Sequence, residues 1–474
     1  MIIDTVITIQ EHRLRSLLAD GLRQSQQTGQ PVLVSMVLRV PQTDSLAFFE
    51  RGARLSDERV FWASPGAECV IAGVDSAWTL TTHGSNRFAE ASAAWHDLCA
   101  NALLEDPFGA VGAGPLLIGG FSFDPLRPAT GLWEGFPDGL LMLPRYVLTS
   151  SDGMTLLTLN TVLRPNSSLA GATEAALRVY DLFDGEPLVV SPAPAGQIRR
   201  AEDLPAATEW QAIVRDVEQN LRRGELGKVV LARQYHVQGR SLFDPAQVIG
   251  RLRIDYSDCF LFAVARGDRC FLGASPERLV RLRHENVRAT CLAGSIARGT
   301  TPELDRQLGE ELLASAKDRA EHEFVVRAIC DELIEVCGGR VTTGPLSLMK
   351  LRNIQHLFTP IVGRVARGRG ILDLVERLHP TPAMGGTPRE PALAMIRRFE
   401  GLDRGWYASP VGWMDAHGEG EFTVAIRSAL LHGAAASLFA GCGIVAGSDP
   451  EREYAESCLK LRPMLSVLGG SLLG

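Results

Sequence analysis

The chain has 474 residues, 46% hydrophobic and 22% charged, enough for a buried core in one large domain or in two to three ordinary ones. Its net charge of −7, with no basic stripe interleaved with aromatics, argues against a nucleic-acid footprint. No apolar run reaches membrane-spanning length, and the start MIIDTVITIQEHRLRS turns charged too soon for a signal peptide, so a cytoplasmic protein is expected.

In chain order, PVLVSMVLRV (31–40) and GLLMLPRYVLTS (139–150) read as strands. GAVGAGPLLIGGFSFDP (109–125) lacks GxGxxG spacing and an acidic ribose partner, so it reads as a strand flanked by tight turns. The Pro- and Ala-rich SPAPAGQIRRAEDLPAATEW (191–210) is the clearest seam. It separates an N-terminal half, 1–195, from a C-terminal region, 205–474. Thr208 to Gln211 look like a capping box, and Trp210, Ile213, Val214, Val217 and Leu221 recur at helical spacing until Gly224. KVVLARQYHV (228–237) is a strand candidate that begins with Lys228. CFLFAVARG and CFLGASPERLVRL read as strands around a turn, which suggests an antiparallel sheet. Residues 302–337 form one long helical stretch. GEFTVAIRSALL and SLFAGCGIVAG read as two strands joined by a short loop, and a final helix opens at Ser448 with Glu451 as its capping-box partner. Strands and helices mix without βαβ alternation, so the fold class is α+β.

Only four of the 48 basic residues are lysine: Lys228, Lys317, Lys350 and Lys460. A lysine that survives such an arginine bias is a candidate for work arginine cannot do, because a desolvated lysine can lose its proton and act as a base. Leftover surface lysine is the plainer alternative. The nine cysteines form no CxxC pair and no zinc-like spacing, so they read as buried free thiols.

Asp318 and Glu321 share one helix face, as do Glu453 and Glu456. Carboxylates from two helices facing one cleft suit a hard divalent cation; two solvated acidic faces are the alternative. Glu456 and Lys460 also make an i, i+4 pair that needs no function. Glu277 lies in the turn of GASPERLV, where burial would raise its pKa and make it a general acid, and where a solvated turn glutamate is the alternative. Arg427, in the apolar run TVAIRSALL, wants an anion, either a substrate carboxylate or an internal Asp. His356 and His379 read more simply as hydrogen-bonded structural histidines. CLAGS (291–295), AMGG (383–386) and AGCG (440–443) could let backbone amides approach a ligand.

Taken in this order, KVVLAR, GASPERL, LAGS, KDRAEHEFVV, LRNIQHLFTPI, HPTPAMGGTP, RGWYASPVGWMD, FTVAIRSALL and AGCGIVAGSDPEREYAES resemble the chorismate-utilising enzymes, from about residue 205 to the end. Within that family the chain most resembles isochorismate synthases of the longer, menaquinone-pathway kind, with FWASP (61–65) and IGGFSFDP (118–125) as weaker matches in the first half. The resemblance implies one large α+β body of antiparallel sheets and flanking helices, with the first half built into it. It implies Mg²⁺ as cofactor and chorismate as substrate, with no obligatory protein partner. By position, Lys228 matches the general base that activates water and Glu277 the general acid. Glu321 and Glu456 match the magnesium ligands, with Asp318 and Glu453 as supporting carboxylates. Gly294, Ser295, His356, Ala383, Met384, Tyr407, Arg427, Gly441, Gly443 and Lys460 match the substrate pocket. Ala293, where aminodeoxychorismate-forming relatives use lysine, disfavours that reaction. Ala383, where ammonia-using relatives tend to carry threonine, favours water. Leu459, where some salicylate-forming relatives carry an acid, disfavours lyase activity. Salicylate synthase, a siderophore-pathway isochorismate synthase, an ammonia-using component and a non-catalytic chorismate binder remain the alternatives.

Overall fold

The computed structural model describes residues 2–126, 130–183, 185–194, 196–224, 226–352 and 354–470, with side chains from Glu11 onward. Met1, Ala195 of the seam and Asn353 of LRNIQHLFTPI therefore lie outside the described residues. The fold is α+β, with eleven α-helices among the described residues around an almost wholly antiparallel strand network. None of these helices is long and apolar enough to cross a membrane.

The strand Gly139–Ser151 is a fork. One arm runs from it through Leu116–Phe121, Pro410–Asp415, Gly420–Val424, Arg278–Arg283 and Asn286–Ala297 to Ile354–Arg364. The other runs through Cys69–Thr82, Arg59–Ala63, Phe260–Arg266, Arg269–Ser275, Ser428–His432 and Ala435–Ile444 to Lys228–Gly239. Strands from both sides of the seam thus pair directly, as in Ile118 with Trp413 and Trp62 with Phe262. Trp62, Phe121, Phe271, Trp406 and Phe422 belong to one buried cluster that takes side chains from both arms. Burying such large apolar surfaces is the dominant favourable term in holding the arms together.

Several sequence expectations shift. The seam holds a strand, Ile198–Leu204, hydrogen-bonded to Lys228–Gly239. It is half-exposed and polar along its length, so it gives no apolar alternation to read. The helix after the seam is Ala207–Arg223; Ala206 stands at its N-cap, no side chain caps it, and Thr208 is already inside. Gly224 ends it as expected. The stretch 302–337 is two helices, Pro302–Ala314 and Ala316–Val336. Ser315, in extended conformation, ends the first and caps the second through its side chain and the Asp318 N–H. The last helix starts at Pro450, and Asp449 rather than Ser448 accepts the first N–H groups.

The largest correction falls where one apolar run proves to be two strands: GEFTVAIRSALL breaks at 425–427, while CFLGASPERLVRL breaks at Pro276–Glu277, the turn expected there. At both breaks the chain leaves one arm of the fork and enters the other. Arg427 is therefore not in a strand but in the crossover, with φ of +51°, a backbone conformation that needs tertiary support. The two crossovers lie side by side. Ala274 N–H donates to the Arg427 carbonyl at 3.1 Å, and Val424 N–H to the Glu277 carbonyl at 3.1 Å.

Candidate active site

The crossovers place Glu277 and Arg427 at the wall of one cavity of about 120 Å³. Lys228, Glu321, Glu456, Lys460, Gly294, Ser295, His356, Ala383, Met384, Tyr407, Gly441 and Gly443 line the same cavity. Two of the predicted carboxylates, Asp318 and Glu453, do not line it. Asp318 accepts from the Ser315 hydroxyl, and Glu453 lies close to Glu456 and Cys442. The sequence reading missed Arg404, Val230, Pro276, Leu292, Ala408 and Ile426, which also line it. Most are small or apolar and carry no chemical signal; Arg404 lies in RGWY, one of the motifs of the resemblance.

Lys228 opens its strand and is 8% exposed. Its Nζ donates to Glu321 Oε1 at 2.6 Å. The strand beside it offers Gly443, where a built Cβ would collide with the lysine Cε and stand 3.0 Å from Nζ. Glycine here is a matter of space rather than of backbone angle. Gly443→Ala is expected to displace the amine and cut turnover by on the order of 10²-fold while the fold survives, because the clash is with the end of a flexible side chain. Steady-state rates beside a melting curve check this, and an unchanged rate counts against it.

Glu277 is 4% exposed. Burial pushes its carboxyl up to about 8, against the opposing charges of Arg427, Lys228 and Lys460. Its backbone is pinned by Thr423 Oγ1, which donates to the Glu277 carbonyl at 2.6 Å. Burial, helped by the Arg427 and Lys460 charges, pulls His356 down to about 3, so its imidazole is neutral. His356 Nδ1 is 2.6 Å from Ser295 Oγ, while its buried Nε2 has no hydrogen-bond partner among the described residues. Gly294 takes φ of +83° where the strand Asn286–Ala297 slips register, and that bulge aims Ser295 at His356.

Glu321 rides on the helix Ala316–Val336. That helix is fastened to the sheet by His322, whose Nε2 is 2.8 Å from Thr359 Oγ1 and whose Nδ1 is 3.0 Å from the Ala293 carbonyl. Glu456 and Lys460 stand one turn apart on the last helix, 2.7 Å from each other, and Lys460 Nζ also donates to the Gly441 carbonyl at 2.8 Å. The Lys460 charge holds Glu456 below the usual carboxylate range. Burial and the Glu456 charge raise the pKa of Glu453. Tyr407 is buried, its ring stacked on Phe439 at 5.3 Å.

Two of the four lysines are elsewhere. Lys350 pairs with Asp305 at 2.8 Å, and Lys317 is exposed. All nine cysteines are free thiols, six of them buried. Leu459 is 40% exposed and does not line the cavity. His379 lies outside the cavity too, its Nε2 3.0 Å from the Phe123 carbonyl.

Residues 20–469 match the family model described as chorismate binding enzyme. A relative from Pseudomonas aeruginosa, a salicylate biosynthesis isochorismate synthase, is 42% identical over 97% of this chain and 95% of its own. The isochorismate synthase MenF of Bacillus subtilis is 36% identical over 98% and 99%. Among solved structures, MenF, the menaquinone-specific isochorismate synthase from Escherichia coli, superposes with a TM-score of 0.77 at 26% identity, covering 95% of this chain and 99% of that one. The forked sheet, the cavity at its crossovers and a family match spanning nearly the whole chain agree: this chain belongs to the chorismate binding enzymes.

Proposed function

We propose that the chain converts chorismate to isochorismate, with Mg²⁺ held by Glu321 and Glu456. The observation that carries the reading is that Lys228 and a buried Glu277, its pKa raised to about 8, line one cavity. An acid poised near neutral pH beside a lysine is what concerted addition and loss of hydroxyl requires. Lys228, as the free amine, takes a proton from the water that adds at C2. Glu277 gives its proton to the hydroxyl that leaves C4 as water, and the ring double bonds shift between the two carbons. Arg427 and Lys460 offset substrate carboxylate charge, and neutral His356 offers Nε2 to a substrate donor.

The donor set suits the metal. Glu321 and Glu456 both line the cavity, and a Glu453 carboxylate oxygen lies within 4.8 Å of one from Glu456. Burial pushes the neighbouring Cys442 thiol well above its usual pKa, which leaves it a poor ligand for a hard cation. Bound there, Mg²⁺ would grip a substrate carboxylate and offset its charge. Glu456→Gln is expected to raise the Mg²⁺ concentration for half-maximal rate by about tenfold or more. An unchanged titration removes Glu456 as a ligand.

Ala293 and Ala383, both lining the cavity, support water over a covalent lysine route or ammonia. We place the reaction in the cytoplasm, with no obligatory partner chain, and the product in menaquinone synthesis. Support for the pathway is the full-length likeness to MenF; the salicylate-pathway relative makes a siderophore route the competing assignment. The functional test is product chromatography after incubation with chorismate and Mg²⁺, with and without ammonium. A chorismate–isochorismate mixture without ammonium is expected. Salicylate with pyruvate, or an aminated product that needs ammonium, overturns the reading. Loss of menaquinone rather than of a siderophore on gene disruption decides the pathway.

A further inference from the structure

Arg404 lines the cavity yet has no role in the chemistry above. It is 2% exposed, and its partner Glu400 is 4% exposed. Nε donates to Glu400 Oε1 at 2.7 Å, and Nη2 to Glu400 Oε2 at 2.5 Å. Nη2 also donates to the Val230 carbonyl at 2.7 Å, and Nη1 to the Met384 carbonyl at 3.1 Å. Glu400 Oε2 in turn accepts the Ala232 N–H at 2.8 Å. The Arg404 carbonyl accepts the Tyr407 N–H at 2.8 Å, and its guanidinium lies 4.2 Å from the centre of the Phe123 ring.

Each anchor has a place in the site. Val230 and Ala232 follow Lys228 on the same strand. Met384 belongs to the turn that leads into Gly386–Thr387, which pairs with Val229 and Lys228. Val230 N–H closes that turn onto the strand by donating to the Gly385 carbonyl at 3.0 Å. Val230, Met384 and Tyr407 all line the cavity.

We infer that Arg404 is a positioning residue for the reaction, locking the Lys228 strand, the Ala383–Met384 turn and Tyr407 into one frame. The inference rests on the chorismate reading of this cavity. A planar fork is needed for it, since one group must grip a carboxylate at two points and reach two carbonyls in different segments. A lysine keeps the charge and cannot span all of these acceptors.

The test compares Arg404→Lys with the parent protein on chorismate with saturating Mg²⁺. Parent turnover is measured first, and a parent that leaves chorismate unchanged overturns both the functional reading and this inference. With an active parent, Arg404→Lys is expected to lose about 10²-fold in kcat with KM held within about threefold. A double variant, Arg404→Met with Glu400→Leu, removes the buried pair as a unit and avoids stranding one charge. It is expected to fold with near-parent near-ultraviolet circular dichroism and to show the same loss in kcat. Turnover within about twofold of the parent in either folded variant overturns the inference. A rise in KM with kcat kept would make Arg404 a substrate ligand instead, and failure of both variants to fold would make it a purely structural ion pair.

Discussion

Lys228→Arg is expected to fold, to keep a cation beside Glu321, and to lose turnover by about 10²–10⁴-fold. The substitution separates charge from basicity. Arginine meets the Glu321 carboxylate as well as lysine does, and it stays protonated at any usable pH. If the residue served only to hold Glu321 or to attract a dianionic substrate, the variant would keep most of its rate. The crowded ground under Gly443 sharpens the control. A Lys228→Met variant, slimmer than arginine and uncharged, should be as inactive as Lys228→Arg if basicity is what counts. Steady-state kinetics with melting temperatures for all three proteins check this. Near-parent turnover in Lys228→Arg sinks the base assignment.

Glu277→Gln should be inactive and yet, above pH 8, more stable than the parent. The carboxyl has an ordinary pKa near 4.5 in the unfolded chain and about 8 when folded. The native protein thus holds one proton more than the unfolded chain between these values, so stability falls as pH rises through that window. The stabilisation is fully present below pH 4.5 and gone above pH 8, and the whole excursion is on the order of 5 kcal/mol. Glutamine is neutral throughout and escapes it. Catalysis moves the other way, since the amide has no proton to give and a loss of about 10²–10⁴-fold is expected. In the parent, the rate should fall on the alkaline side as the acid form disappears near pH 8. Thermal melts of both proteins from pH 5 to 9, beside the parent's pH–rate profile, check these signs. Parallel melting curves would place Glu277 in water rather than in the core.

The strand beginning at Lys228, the stop at Gly224 and the α+β class were legible because alternation and glycine placement are local signals. The turn at Glu277 was legible too, but the break at 425–427 was not. Apolar composition runs straight through the latter, and only the second sheet arm explains why the chain turns there. The burial of Glu277 follows from the crossing between arms at its turn, so GASPERLV read alone shows a solvated glutamate as readily as a poised acid. Gathering Glu321 and Glu456 likewise needed two helices far apart in the chain. Their spacing put each on a helix face but said nothing of what the face looked toward. Arg404 was hidden for a related reason: three of its acceptors are backbone carbonyls and a carboxylate whose positions only the folded chain sets.

The fork in the sheet also governs how the protein is made. Leu116–Phe121 waits for Pro410–Asp415, and Arg59–Ala63 for Phe260–Arg266. At about 5–20 residues per second, the first of these partners leaves the ribosome on the order of ten seconds to a minute after the strand it must meet. During that interval the nascent chain carries open strand edges, which are templates for wrong pairing. Closure of the sheet is therefore a late, non-local event, and cellular yield depends on how well those early edges are shielded until the later strands arrive.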